Sequence, residues 1–353
     1  MGDIQMRHSY KKYAGLACRM MLWMLFFSFV TAGCGPFQDV APDVHSEKKM
    51  PDEGENLIVV GFSQLGSESL WRTANSESIQ EALTRENGFF LEFSNARQKQ
   101  ENQIKAIRGF ISQRVDYIMF SPVTESGWDT VLREAKDAGI PVILVDRKAS
   151  LEDDSLYTAW VGSDMISEGE KAGIWLEDYL KEEGREEEEI NIVVLQGTVG
   201  SSAQLERTKG FQNIAKEHAN WHILKQEPAD FTTAKGKEVM EMFLRNYTGI
   251  DVVISQNDDM TFGALQAMEE KGITTGVDGE IILISFDAVR EALELVSQGV
   301  INVDIECNPE QGDYILEIIR KLENGEPVDK ENIVEEKVFT QKNVDEYLDT
   351  RTY

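Results

Sequence analysis

Residues 140–147 read IPVILVDR, directly after GWDTVLREAKDAG at 127–139. The run Val142–Val145 is wholly apolar, as expected of a strand buried on both faces. The preceding segment reads as a helix stopped by Gly139. A helix feeding a doubly buried strand is part of a parallel α/β unit. The strand then ends on Asp146 and Arg147, two opposite charges side by side at its mouth.

The same rhythm extends in both directions. NLIVVGFS (56–63), FFLEFSN (89–95) and DYIMFSP (116–122) read as strands, each followed by a helix. After a connecting strand, YTAWVGSD (157–164), the alternation resumes. INIVVLQG (190–197), HILKQEP (222–228), DVVISQND (251–258), EIILISFD (280–287) and VINVDIECNP (300–309) are its strands. Buried strands alternating with helices imply parallel sheets with right-handed crossovers. Two such series imply an α/β protein of two Rossmann-like lobes. The acidic run Glu182–Glu189 falls between a helix and a strand and reads as a solvated turn.

With 353 residues, 41% apolar and 28% charged, the chain is globular and long enough for two domains. A formal charge of −28 argues against nucleic acid and against electrostatic binding to anionic lipid. The cysteines Cys18, Cys34 and Cys307 lie far apart, which suggests neither a zinc site nor a disulfide framework. His218 and His222 are four apart but straddle a helix end and the next strand, so a metal pair is not expected.

The first residues are different. A basic start is followed by an apolar run of 11 residues, Met20–Val30. That is too short to span a bilayer, which needs about 20 residues, and fits a signal sequence. TAGC (31–34) then resembles a bacterial lipoprotein signal, although Thr31 departs from the usual leucine. The expectation is a signal peptide at 1–33, lipidation at Cys34, and a flexible tether at 34–55.

Ligands of open parallel sheets bind beyond the carboxyl ends of the strands. Ser63 and Gln64, Ser121, and Asp146 with Arg147 lie there in the first series. Gln196–Thr198, Asn257 to Asp259, Asp287, Asp304 and Glu306 lie there in the second. Trp71 and Phe231 stand nearby. Any one of these could merely cap a helix, as Asp258 or Asp259 could for the segment after them. Together they suit a neutral polyol: carboxylates accept from hydroxyls, guanidinium groups donate, and an indole covers the C–H face of a sugar ring. On this reading Asp146 and Arg147 form a charge pair that grips adjacent hydroxyls. QGTVGSS (196–202) lacks the Lys-Ser/Thr ending of a phosphate loop, so a nucleotide is not expected. A hydrolase using Asp146 and Asp287 is open on composition alone.

The stretches VGFSQLGSESLWR, RQKQENQIKAIRGF, LREAKDAGIPVILVDR, VVLQGTVGSSA, ADFTTAKGKEVME, NDDM and FDAV resemble the periplasmic sugar-binding proteins of the ribose/galactose type. The likeness is strongest to galactofuranose-binding components of ABC importers. It implies a type I periplasmic binding protein fold, with three hinge crossings near Gly162, Asp304 and Asn332. The N-terminal lobe would be 56–162 plus 306–331, and the C-terminal lobe 163–305 plus 332–353. By position it implies ligand contacts from Ser63, Glu68, Trp71, Arg72, Asp146 and Arg147 in the first lobe. From the second it implies Thr198, Arg207, Phe231, Asn257 and Asp287; strand-end Glu306 completes the expected set. Cys307 stands where ribose-type relatives often have Gln, and LWR stands where pentopyranose binders often have two Phe. Both departures favour a galactofuranose-like ligand over ribose. Cys307 itself reads as a small thiol filling a hinge gap.

The resemblance further implies a monomeric, extracytoplasmic, lipid-anchored receptor with no cofactor and no catalytic step. Its partners would be one monosaccharide and an ABC permease. The alternative is a sensor that presents its closed form to a receptor histidine kinase. A cytoplasmic repressor core of this fold is disfavoured by the apolar leader and by the lack of a basic helix-turn-helix segment before residue 56.

Overall fold

The computed structural model describes residues 56–353, and the expected signal peptide, tether and lipidated Cys34 lie outside them. The first series comprises β1 (Ile58–Gln64), α1 (Leu70–Ala82), β2 (Phe89–Asn95), α2 (Gln100–Gln113), β3 (Tyr117–Phe120), α3 (Asp129–Asp137), β4 (Val142–Val145) and β5 (Ala159–Gly162). The second comprises α4 (Met165–Glu182), β6 (Ile190–Gln196), α5 (Ser202–Ala215), β7 (Trp221–Pro228), α6 (Thr233–Asn246), β8 (Val252–Ser255), α7 (Asp258–Glu269), β9 (Ile282–Asp287), α8 (Arg290–Ser297) and β10 (Val303–Glu306). The chain finishes with α9 (Gly312–Glu323), β11 (Glu331–Ile333) and β12 (Val338–Phe339).

Two six-stranded sheets result, ordered β11-β5-β4-β3-β1-β2 and β12-β10-β9-β8-β6-β7. Each lobe therefore repeats one doubly wound plan, with its first strand inside the sheet. All strand pairings are parallel except β12 with β10, which is antiparallel. Neither β11 nor β12 is visible in the sequence pattern, because strands of three and two residues are too short to show a period.

Helices cover both faces of each sheet. In the first lobe, Ile79 of α1 and Ile315 and Ile319 of α9 pack on one face. Ile107 and Phe110 of α2, with Trp128 and Leu132 beside and on α3, pack on the other. In the second, Phe243, Met260 and Leu293 cover one face, and Leu176 and Phe211 the other.

The chain crosses between lobes three times. The first crossing, at Ser163 and Asp164, joins β5 to α4. The second, 307–311, joins β10 to α9, and the third, 334–337, joins β11 to β12. Two boundaries thus move from those expected. Glu306 pairs with Asp287 in the second sheet, and Asn332 and Ile333 pair with β5 in the first.

Candidate binding site between the lobes

Strand ends and capped helix starts of both lobes converge on one cleft. Ser69, Ser201, Thr232 and Asn257 cap α1, α5, α6 and α7, each accepting the N–H three residues on. Such caps contribute about 1 kcal/mol each and fix where the following side chains point. Asn257, rather than Asp258 or Asp259, is the cap of α7; the two acids occupy its first turn.

The lobes meet across this cleft. The Leu70 N–H at the start of α1 donates to Asp259 Oδ2 at 3.0 Å. The Glu125 N–H donates to the Gly200 carbonyl at 2.9 Å, and the Lys148 N–H to Ser202 Oγ at 3.0 Å. Trp71 Nε1 donates to the Cys307 carbonyl at 2.5 Å, so an N-lobe indole is fastened to the second crossing.

Behind these contacts lies a small cavity. Of the expected residues, Glu68, Trp71, Arg72, Asp146 and Arg147 line it from the first lobe. Arg207, Phe231, Asn257 and Asp287 line it from the second. Ser69, Met165, Ala203 and Cys307 line it as well and were not among the expected contacts. Ser69, Met165 and Ala203 have no charge or ring to announce them in the sequence.

Ser63, Thr198 and Glu306 do not line it. Ser63 is fully buried inside β1, and its carbonyl accepts from Gln103. Thr198 turns its carbonyl to the hydroxyl of the cap residue Ser201. Glu306 faces away: its carboxylate accepts the Lys337 N–H at 2.8 Å and pairs with Arg351 at 2.8 Å. One step on, Cys307 faces the cavity, as the two-residue period of an extended chain requires.

The charges pair differently from the sequence expectation. Asp146 and Arg147 do not form a pair. Arg72 takes Asp146, with Nη2 to Oδ2 at 2.6 Å, and also Glu68, with Nε to Oε1 at 3.2 Å. Arg207 pairs with Glu168 at 2.6 Å and with Asp287 at 3.2 Å. Arg147 instead donates to the Val123 carbonyl at 3.0 Å and lies over the Phe231 ring at 5.3 Å. Burial, then repulsion from Arg72, lowers its guanidinium to about 10. Two buried polar atoms of cavity-lining residues have no protein partner: the donor Arg147 Nε and the acceptor Glu68 Oε2. Burial also pushes the Asp287 carboxyl well above its ordinary range, against the pull of Arg207.

Backbone strain concentrates here. Asp146, Phe231 and Asp287 have φ of 61°, 60° and 107°, a region that L-residues enter at a cost. Phe231 is held by its neighbour: a Cβ on Gly197 would fall 1.8 Å from the ring. Glycine is therefore required at 197 for the aromatic wall to stand where it does.

Among the described residues, one group of ligating side chains is tight enough for a metal, Glu168, Cys307 and Glu336, with atoms within 4.8 Å of one another. His218 and His222 do not join in a site; each pairs with a glutamate. No described helix is long and apolar enough to cross a membrane.

Two wound lobes closing on a small, charge-lined, aromatic-walled cavity define a solute-binding protein of the hinged type. Residues 60–327 match the model of the Periplasmic binding protein domain, and the chain belongs to that family. It is 42% identical over 267 residues to galactofuranose-binding protein YtfQ of Escherichia coli (strain K12), which covers 75% of this chain and 81% of that protein. A Mycobacterium smegmatis protein solved in complex with β-D-fucofuranose is 41% identical, with a TM-score of 0.79 over 84% of this chain and 95% of that one. The periplasmic binding component of the arabinose ABC transporter of Shewanella sp. ANA-3, bound to α- and β-L-arabinofuranose, is 41% identical, with a TM-score of 0.77 over 83% and 95%. The family and its galactofuranose-binding relative are binding proteins, not enzymes, and the family implies an extracytoplasmic location.

Proposed function

We propose that this protein captures one monosaccharide in its furanose form and presents the closed complex to an ABC permease. The observation that carries the reading is a pair of buried, unpartnered polar atoms on two residues that line the cavity, Arg147 Nε and Glu68 Oε2. A buried donor and a buried acceptor left open are each costly, and a neutral polyol supplies the partner to both. The cavity is small, which argues for one sugar ring rather than an oligosaccharide. Trp71 and Phe231 supply apolar faces for the C–H surfaces of the ring, and Asp146, Arg207, Asn257 and Asp287 supply its polar contacts. The furanose ligands of the two solved relatives support the ring form.

Closure requires that the sugar bind the closed form more tightly than the open one. The cross-lobe contacts Leu70–Asp259 and Lys148–Ser202 belong to the closed form, so the sugar's role is to favour them. Lipidation at Cys34 would keep the receptor beside its permease as a monomer.

The test is isothermal calorimetry of the purified protein against L-arabinose, D-galactose, D-fucose, D-ribose and D-glucose. One-to-one binding of a sugar with a furanose fraction, and none of glucose, is the expected result. Tight binding of glucose, which is almost wholly pyranose in water, would overturn the ring-form assignment. Lipidation is tested separately: labelled palmitate should enter the wild-type protein and not Cys34→Ser.

A further inference from the structure

The three crossings meet at one buried point. Ser163 of the first crossing donates its hydroxyl to Glu336 Oε1 of the third. The same hydroxyl lies 3.3 Å from Cys307 Sγ of the second. The Asn308 N–H, also of the second, donates to Glu336 Oε1 at 3.1 Å. Against this knot stands Glu168 of α4, fully buried. Its Oε2 holds Arg207 Nε at 2.6 Å, while its Oε1 is buried with no partner. Glu168, Cys307 and Glu336 offer atoms within 4.8 Å of one another.

Two ionised carboxylates this close in a buried site repel, and the usual resolution is one shared proton. We propose that Glu336 is a positioning residue for the binding site: as a neutral acid it donates to the free oxygen of Glu168, whose other oxygen aims Arg207 into the cavity. This rests on the cavity being the sugar site. It accounts for the one feature of Glu168 that pairing with Arg207 leaves open. It also makes the hinge and the ligand arginine parts of one hydrogen-bonded chain, Ser163 and Asn308 to Glu336 to Glu168 to Arg207.

The surroundings agree. Burial, then the charge of Glu168, raises Glu336 to about 9 against the hydroxyl of Ser163, the Asn308 N–H and the opposing charge of Lys171 on α4. From the second crossing, Cys307 is raised well above its ordinary value, by burial first and then by Glu168, so the thiol is neutral and brings no further charge. Arg207 of α5 is already taken by Glu168 and Asp287.

The experiment compares wild type with Glu336→Gln, Glu336→Ala and the control Cys307→Ser. Two readouts are taken, each with and without EDTA: L-arabinose and D-galactose affinity against pH, and melting temperature against pH without sugar. Glutamine donates as the neutral acid does, so Glu336→Gln should bind within about threefold of wild type at neutral pH, while Glu336→Ala weakens about tenfold or more. Wild-type affinity should fall as pH passes about 9, in Cys307→Ser too, while Glu336→Gln should keep its affinity until the Arg147 charge is lost near 10. Without sugar, Glu336→Gln should gain in melting temperature over wild type as pH rises from about 5 to about 9, because only the wild-type native state must hold a proton the unfolded chain releases. Glu336→Gln behaving like Glu336→Ala, a melting-temperature gap independent of pH, or affinity lost specifically on adding EDTA would overturn the proposal. If the gap opens but neither sugar binds, the sugar reading fails and the proton at the hinge stands.

Discussion

Arg72 Nη2 donates to Asp146 Oδ2 at 2.6 Å, tying the first helix to the end of the fourth strand with both side chains almost fully buried. Ser121 reaches the same carboxylate oxygen at 3.3 Å. Asp146 therefore has two duties, as counter-charge for a buried guanidinium and as cavity wall. Asp146→Ala should abolish sugar binding and also lower stability by about 3–5 kcal/mol, the scale of removing one partner of a buried pair. Asp146→Asn should lose binding with a smaller stability loss. Calorimetry beside chemical denaturation separates the two, and a folded Asp146→Ala protein of unchanged affinity would remove Asp146 from the site.

The neighbouring arginine should behave in the opposite way. Arg147 is buried among other charges, has one open donor, and is not matched by an ion pair among the described residues. Replacing such a charge with an apolar side chain of similar length tends to be neutral or stabilising. Arg147→Met should therefore melt no lower than wild type while losing affinity about tenfold or more. Differential scanning fluorimetry and calorimetry on the same sample check this; a lower melting temperature with full affinity would make Arg147 structural.

Much of this was legible in the sequence because parallel strands advertise their own ends. The apolar run Val142–Val145 stops at Asp146, and Asp287 ends β9, which is apolar but for Ser285. What failed did so for local reasons. A strand-end rule cannot say which way a side chain turns, so Glu306 was expected in the site while its neighbour Cys307 occupies it. Arg207 comes from within α5, beyond the reach of any strand-end rule, and entered only through family likeness. Adjacency in sequence suggested pairing Asp146 with Arg147; the true partner of Asp146 is 74 residues away. Glu168, which carries Arg207, lies in a helix with no local mark of its role.

Trp71 is both wall and fastener, since its ring lines the cavity and its N–H reaches the Cys307 carbonyl. Trp71→Ala should weaken sugar binding by about 1–3 kcal/mol, as for a lost aromatic anchor. Trp71→Phe keeps a ring but frees the carbonyl, and should cost about 1 kcal/mol. Equal losses in the two variants, read by calorimetry, would mean that the hydrogen bond alone matters.

Stability should fall with rising pH across the mildly acidic range. Burial raises Asp259 to about 6 and, with the charge of Asp287, raises Asp304 to about 7. An unfolded aspartate titrates near 4. The folded-state values are the higher ones, so the native protein keeps protons that the unfolded chain releases. Their contribution is fully present below about pH 4 and is lost as pH rises through 6 and 7. The chain charge of −28 acts in the same direction. Melting temperature should be higher near pH 5 than near pH 8, and Asp304→Asn should flatten the slope. A profile rising toward pH 8 would contradict the assignment.

Gly197 gives the sharpest steric test of the aromatic wall. It follows β6, and an added Cβ would lie 1.8–2.3 Å from three atoms of the Phe231 ring. Phe231 cannot yield easily, because Asp230 and Phe231 both hold positive φ in the turn that carries them. The ring must leave the cavity or the turn must open, and in either case Arg147 loses the face it lies over. Gly197→Ala should therefore lose sugar affinity about as severely as Phe231→Ala, on the scale of 1–3 kcal/mol. The double variant Gly197→Ala, Phe231→Ala should be no worse than Phe231→Ala alone, since the clash disappears with the ring. Additive losses in that cycle would show that Gly197 acts through something other than Phe231.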